Sequence, residues 1–169
     1  AGFKGHTAQV TVNEHTLLTA LHEAGLPVPE PFLVDATSIE VDPYLVTEWV
    51  DGSTDVAAPE LPAALEQMAR FLVRLHAWDA GDPTTSVLDH IEDPAGALPE
   101  VLPATDAGNR LRAAIADRQL PRVSNRSVVL HGDYWPGNVL WAGGRLLAVI
   151  DWEDACLGDP LADLATARV

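Results

Sequence analysis

Cysteine is almost absent. Cys156 stands alone, so no intrachain disulfide can form, and the chain reads as a protein of a reducing compartment, with the cytoplasm as its expected location. No apolar run reaches the length of a membrane-spanning helix, and nothing at the visible start has the layout of a signal peptide. Basic residues are scarce: 10 Lys and Arg face 25 Asp and Glu, for a net charge of −15. Such a field argues against nucleic acid and anionic membranes as partners and suits cationic ones, although acidity also serves solubility alone. No repeat, low-complexity tract or Gly-rich phosphate loop is visible. An initiator Met is missing before Ala1-Gly2-Phe3, and the chain stops at Ala167-Arg168-Val169 inside an expected helix. We therefore read it as a piece of a longer protein.

What is present suffices for a core, since 47% of the residues are apolar. His15 to Glu23 carries leucines at helical spacing and is stopped by Gly25. Pro27, Pro29 and Pro31 then force an extended passage. Phe32–Val34 and Tyr44–Val50 read as strands, the second closed by Asp51-Gly52. From Leu61 to Trp78, Leu61, Leu65, Met68, Leu72 and Leu75 recur on one face of a long helix that Pro62 opens acceptably. Asp82 to Pro103 reads as loop with short helical turns, and Ala104 to Gln119 as a further helix.

The chemistry is concentrated near the end. Val128-Val129-Leu130 leads into His131-Gly132-Asp133-Tyr134-Trp135-Pro136-Gly137-Asn138, and Leu146 to Ile150 leads into Asp151-Trp152-Glu153. Between them, Val139-Leu140-Trp141 and Gly143-Gly144 predict a hairpin that brings Asn138 and Asp151 together. An amide oxygen and a carboxylate converging there suit Mg²⁺ held on substrate phosphates. Asp151 follows five apolar residues, so its carboxylate is expected at a buried strand end, where it is costly unless paired or metal-bound. Asp133 is the candidate base for an attacking hydroxyl. His131, two residues earlier, is expected to hold the loop by bonding its backbone.

His-x-Asp-x-x-x-x-Asn, an Asp thirteen residues later, then Leu157-Gly158-Asp159-Pro160 and Asp163-Leu164-Ala165, together resemble the catalytic segment of the aminoglycoside phosphotransferase and choline kinase-like small-molecule kinases. The resemblance implies an α+β, protein kinase-like fold of two lobes. Residues 1–52 would be the remainder of an N-terminal ATP-binding lobe ending in a hinge. Residues 53–169 would be a helical C-terminal lobe with the catalytic and metal loops on a β-hairpin, truncated at its end. It implies ATP (or GTP) and Mg²⁺ as cofactors and transfer of the γ-phosphate to a hydroxyl of a small molecule (an aminoglycoside-like antibiotic or another metabolite), for which the acidic balance favours a cationic acceptor. Backbone groups of Glu48 and Val50 would read the nucleobase at the hinge. Glu14 looks like the family's helix glutamate that pairs with a basic strand residue; that partner is expected before Ala1, with Lys4 as the one upstream alternative in this chain. Asp159 would brace the catalytic loop or cap a helix beginning at Pro160. Asp163 would be structural, and His76 would pack or cap. Glu153 and Asp154 would lie near the metal residue. Trp135 and Trp152 would flank the site, and Trp49, Trp78 and Trp141 would be core.

Two rivals stand beside this reading. One is a nucleotide- or metabolite-binding module without turnover, against which the intact Asp133, Asn138 and Asp151 argue. The other is a Mg²⁺-dependent hydrolase, which needs a second acidic cluster and has only Glu153 and Asp154 to offer.

Overall fold

The structure is a computed structural model that describes residues 8–37, 42–57, 60–79, 81–91, 103–117 and 125–167. It opens on helix α1 (Ala8–Glu23), followed by an antiparallel pair of strands, β1 (Pro31–Asp35) and β2 (Tyr44–Thr47). The helix begins seven residues before the leucine pattern. Val10, Thr11 and Val12 are poor helix formers, but packing overrides propensity here. Thr11 is buried, and the Asn13 side-chain amide donates to Val87 O at 2.8 Å. Gly25 stops the helix at a φ of +74°, a conformation that favours glycine.

Helix α2 (Leu61–His76) buries Ala64, Met68, Phe71, Leu72 and Leu75, each at most 4% exposed. The stripe is rotated slightly from the leucine spacing, so that Leu65 is exposed and Phe71 takes a central place. Each large apolar side chain buried this way contributes roughly 1.5–3 kcal/mol. After α2 come a 3-10 turn (Pro83–Val87), the two-residue strand β3 (Asp89–His90) and helix α3 (Asp106–Asp117). The Gln119 end expected for that last helix lies outside the described residues.

The remaining elements carry the residues that the sequence singles out. Strand β4 (Val128–Leu130) is buried at every position, and a 3-10 turn (Pro136–Asn138) leads into β5 (Val139–Ala142) and β6 (Arg145–Val149). Gly143 and Gly144 join β5 to β6 with φ of +56° and +72°, the pair of positive values that a two-residue turn matching strand twist requires. Strand β7 (Cys156–Gly158) and helix α4 (Leu161–Thr166) complete the order. β7 lies between β4, antiparallel to it, and β3, parallel to it. One apolar cluster runs from Leu17, Leu18 and Leu21 through Phe71 and Leu75 to Val129, Val149 and Trp152. Among the described residues no helix is long and apolar enough to cross a membrane.

One expectation about tryptophan fails. Trp49 is 89% exposed, not core, because β2 ends at Thr47 and the chain leaves the sheet before reaching it. Trp152 directly follows Asp151 and lines a cleft that Gly132, Glu153 and Asp154 also line. It is buried at 2% exposure with its indole N–H on Val149 O at 3.0 Å. Trp141 is buried, Trp78 packs against the core, and Trp135 is half exposed beside Pro136.

Candidate active site

The loop from His131 to Asn138 is fastened from three sides. From below, the carboxylate of Asp163 on α4, fully buried, accepts the backbone N–H of His131 (3.1 Å) and that of Gly132 (3.0 Å). His76, at the end of α2, places Nε2 2.9 Å from the same carboxylate. From within, the Tyr134 hydroxyl donates to Met68 O at 3.0 Å, and its ring stacks on Phe71. From the hairpin side, His131 places Nε2 2.9 Å from Ile150 O. A carbonyl can only accept, so Nε2 carries the proton, and Nδ1 is left to accept the N–H of Asp133 at 3.3 Å. Burial holds the His131 imidazole below its ordinary 6.5, against the bond to Ile150 O and the attraction of Asp163, Asp151 and Asp133. The ring is therefore neutral at neutral pH, as this hydrogen-bond pattern demands.

Gly132 makes the middle of the His-Gly-Asp run sterically unique. Its φ is +88°, and an added Cβ would lie 2.1 Å from Asp154 O. The His131–Asn138 loop and the segment after Asp151 therefore touch backbone to backbone.

At the open end of the hairpin, Val139 pairs with Val149, and Ile150 N–H donates to Asn138 O at 3.0 Å. Asn138 is buried, and its amide N–H₂ donates to Asp133 O (2.8 Å) and Asp133 Oδ2 (3.1 Å). That commits one end of the amide to Asp133. The other end, Oδ1, has no protein partner among the described residues. Asp151 follows at a φ of +68°, where no other described residue except glycine is found. It is exposed rather than buried at a strand end, because this left-handed turn swings it out of the sheet. Its carboxylate makes no hydrogen bond or ion pair with the described residues. An exposed carboxylate with no protein partner, one residue beyond the backbone bond from Ile150 to Asn138, and an amide oxygen left free suit a divalent cation that takes its remaining ligands from phosphate and water. No three His, Cys, Asp or Glu side chains among the described residues form a metal-holding group.

The other candidates stand on other elements. Glu14 faces a cleft of about 520 Å³ between α1 and the segment Trp152–Cys156, which it shares with Gly132, Glu153 and Asp154. Lys4 lies outside the described residues. Glu48 and Val50 follow β2, and the chain then crosses to β5 through paired bonds between Ser53 and Trp141 of 2.9 and 2.7 Å. Asp159 accepts Leu161 N–H (2.9 Å) and the side chain of Asn125, at the start of α4. Bracing of the loop falls to Asp163 instead. A signal for that role was available in the sequence: a carboxylate inside Leu161-Ala162-Asp163-Leu164-Ala165. In the structure the leucines of this helix face outward and the aspartate inward.

The sequence pattern of a phosphotransferase enzyme family matches residues 3–168. Acyl-CoA dehydrogenase family member 11 of Gallus gallus is 30% identical over 175 residues, covering 91% of this chain and 22% of that protein. Viomycin phosphotransferase of Streptomyces vinaceus is 32% identical over 164 residues, covering 85% of this chain and 56% of that enzyme. The chain thus spans about half of the second relative and a smaller share of the first. A variant of aminoglycoside 2′-phosphotransferase IIIa solved with GDP matches with a TM-score of 0.72 at 20% identity, covering 92% of this chain and 59% of that one. That likeness establishes the fold: α+β, of the aminoglycoside phosphotransferase and protein kinase type.

Proposed function

This chain belongs to the phosphotransferase enzyme family, and on that premise we propose that it is part of a small-molecule kinase that moves the γ-phosphate of ATP or GTP to a hydroxyl group. The observation that carries the reading is the arrangement of three residues. Asp133 is oriented by the Asn138 amide at 3.1 Å, beside an Asp151 held in the left-handed region with no protein partner. Asp133 accepts the proton of the acceptor hydroxyl as its oxygen bonds to the γ-phosphorus and the bond to the β-phosphate oxygen breaks. Asn138 and Asp151 would hold Mg²⁺, which offsets the negative charge of the phosphates when bound. One amide then serves both purposes: its nitrogen orients the base and its oxygen faces the cation.

The lobe boundary near residue 52 and the placing of the nucleobase at Glu48 and Val50 are parts of the same proposal. Glu14 would pair with a basic residue upstream. The acceptor is a hydroxylated small molecule, and the net charge of −15 favours a cationic one. Viomycin phosphotransferase has an antibiotic in its name, but the other relative is named for a different activity altogether. The acceptor class is therefore left broader than antibiotics.

The test is a thermal-shift titration of the whole protein with ATP and GTP, with and without Mg²⁺, followed by turnover of Asp133→Ala. A Mg²⁺-dependent rise in Tm is expected. The variant should lose roughly 10²-fold or more in turnover with nucleotide affinity near wild type. Absence of any shift would sink the reading. Nucleotide binding with no phosphoryl transfer to any acceptor would favour a non-catalytic binding module.

A further inference from the structure

The hinge segment has few backbone groups left to offer a nucleobase, and their order along the chain is specific. Glu48 N–H is already committed to Glu30 O at 2.7 Å, continuing the β1–β2 ladder one step beyond the strand. The reciprocal ladder bond is replaced: Glu30 N–H is directed to the Glu48 side chain at Oε2, 3.4 Å away. Glu48 C=O is thereby released, its one remaining contact being the Thr47 hydroxyl at a long 3.4 Å. Val50 N–H has no protein partner among the described residues. Val50 C=O, in contrast, accepts Gly52 N–H at 3.0 Å and is drawn into a tight turn.

What remains is an acceptor at Glu48 followed by a donor at Val50. The Watson–Crick edge of adenine carries the 6-amino donor beside the ring acceptor N1, which complements that order. Guanine carries the O6 acceptor beside the N1–H donor, the reverse order. To pair guanine, the segment would have to slide by one group, matching Val50 N–H to O6 and Val50 C=O to N1–H. The turn to Gly52 already uses that carbonyl. Nor can the turn readily open, because Ser53 is tied to Trp141 through both backbone bonds. Gly52 also sits so close to β5 that an added Cβ would lie 3.1 Å from Leu140 Cβ and 3.2 Å from Trp141 O.

We propose that this chain selects adenine over guanine nucleotides, and that the closed Val50–Gly52 turn sets the choice. The inference rests on the nucleotide site proposed above. It is not a consequence of the fold, which in the variant described above is occupied by GDP.

The experiment is calorimetric titration of the whole protein with the Mg²⁺ complexes of four triphosphates: those of adenosine, 2,6-diaminopurine riboside, inosine and guanosine. The adenosine and diaminopurine compounds share one edge order, and the inosine and guanosine compounds share the other. The first two should bind with similar affinity, and the last two about tenfold more weakly or worse, the effect of one mismatched hydrogen-bond pair. Guanosine triphosphate binding as well as adenosine triphosphate would overturn the inference and leave the kinase reading intact. Inosine triphosphate binding well while the diaminopurine compound fails would also overturn it, since exclusion would then act on bulk at C2. Binding of none of the four would overturn both readings together.

Discussion

The two loops at the open end of the β5–β6 hairpin are built in opposite ways. The loop from His131 to Asn138 spends buried side chains on its own shape. His131, Tyr134, Asn138 and, from outside, Asp163 each satisfy backbone groups of the loop or of the elements it packs against. The loop that begins at Asp151 does the reverse. Its first residue is exposed, unpartnered and held at a positive φ, a conformation that costs a non-glycine residue of order 1 kcal/mol. The contrast separates two ways in which a fold prepares a site. A group that must be placed is surrounded by partners within the chain. A group that awaits a partner from outside is left with unused charge, and the surroundings hold it there. Gly132 lets both exist within one backbone contact, since it brings the first loop against Asp154 of the second.

The largest break in that contrast comes from the fastened side. Asp163→Ala removes a carboxylate that takes two backbone N–H groups and the His76 ring, and it leaves the buried His131 amide without its partner. Loss of roughly 3–5 kcal/mol of stability is expected, read as a fall in the denaturant midpoint at unchanged slope. Turnover should fall with it, because the loop carrying Asp133 would lose its floor. A change below about 1 kcal/mol would mean that the loop is held by other groups.

The same fastening explains what the sequence could and could not disclose. The hairpin was legible because Gly143-Gly144 permits only a narrow set of turns, and α2 because its apolar stripe is local and periodic. The convergence of the Asn138 and Asp151 backbones followed from the hairpin alone. β7 was not legible: three residues with no alternation become a strand only through pairing with β4 and β3, which are distant in the chain. The first half of α1 was hidden by its β-branched residues, and its helix is maintained by packing. The exposure of Asp151 was misjudged because an apolar approach says where a strand is buried, not how its last residue turns. Asp163 was legible as structural, but its partners, the amides of His131 and Gly132 and the ring of His76, are known only once the tertiary structure brings them to it.

A smaller effect is expected from pH. Folded, His131 is neutral, and burial holds it below the 6.5 that it has when unfolded. As pH falls through 6.5 the unfolded chain takes up a proton that the folded chain refuses. Stability therefore falls with acidification, by at most about 1.4 kcal/mol per pH unit for this group, and its contribution is complete above 6.5. Stability of the wild type and of His131→Asn, followed from pH 7.5 to 5, would show a steeper decline in the wild type. Parallel curves would mean that His131 titrates alike in both states and is not the neutral strut its bonds describe.

The smallest effect on stability is expected at the other loop. Asp151→Gly relieves the left-handed backbone but adds freedom to the unfolded chain, and the two nearly offset. Stability should stay within about 1 kcal/mol of wild type, since the carboxylate has no partner in the fold to lose. Affinity for the magnesium nucleotide should drop steeply in the same variant, and affinity for the metal-free nucleotide should hardly move. Equal losses for both forms of nucleotide would remove Asp151 from the cation site. Destabilisation of about 2 kcal/mol or more would place Asp151 with the fastened residues, and the contrast between the two loops would no longer hold.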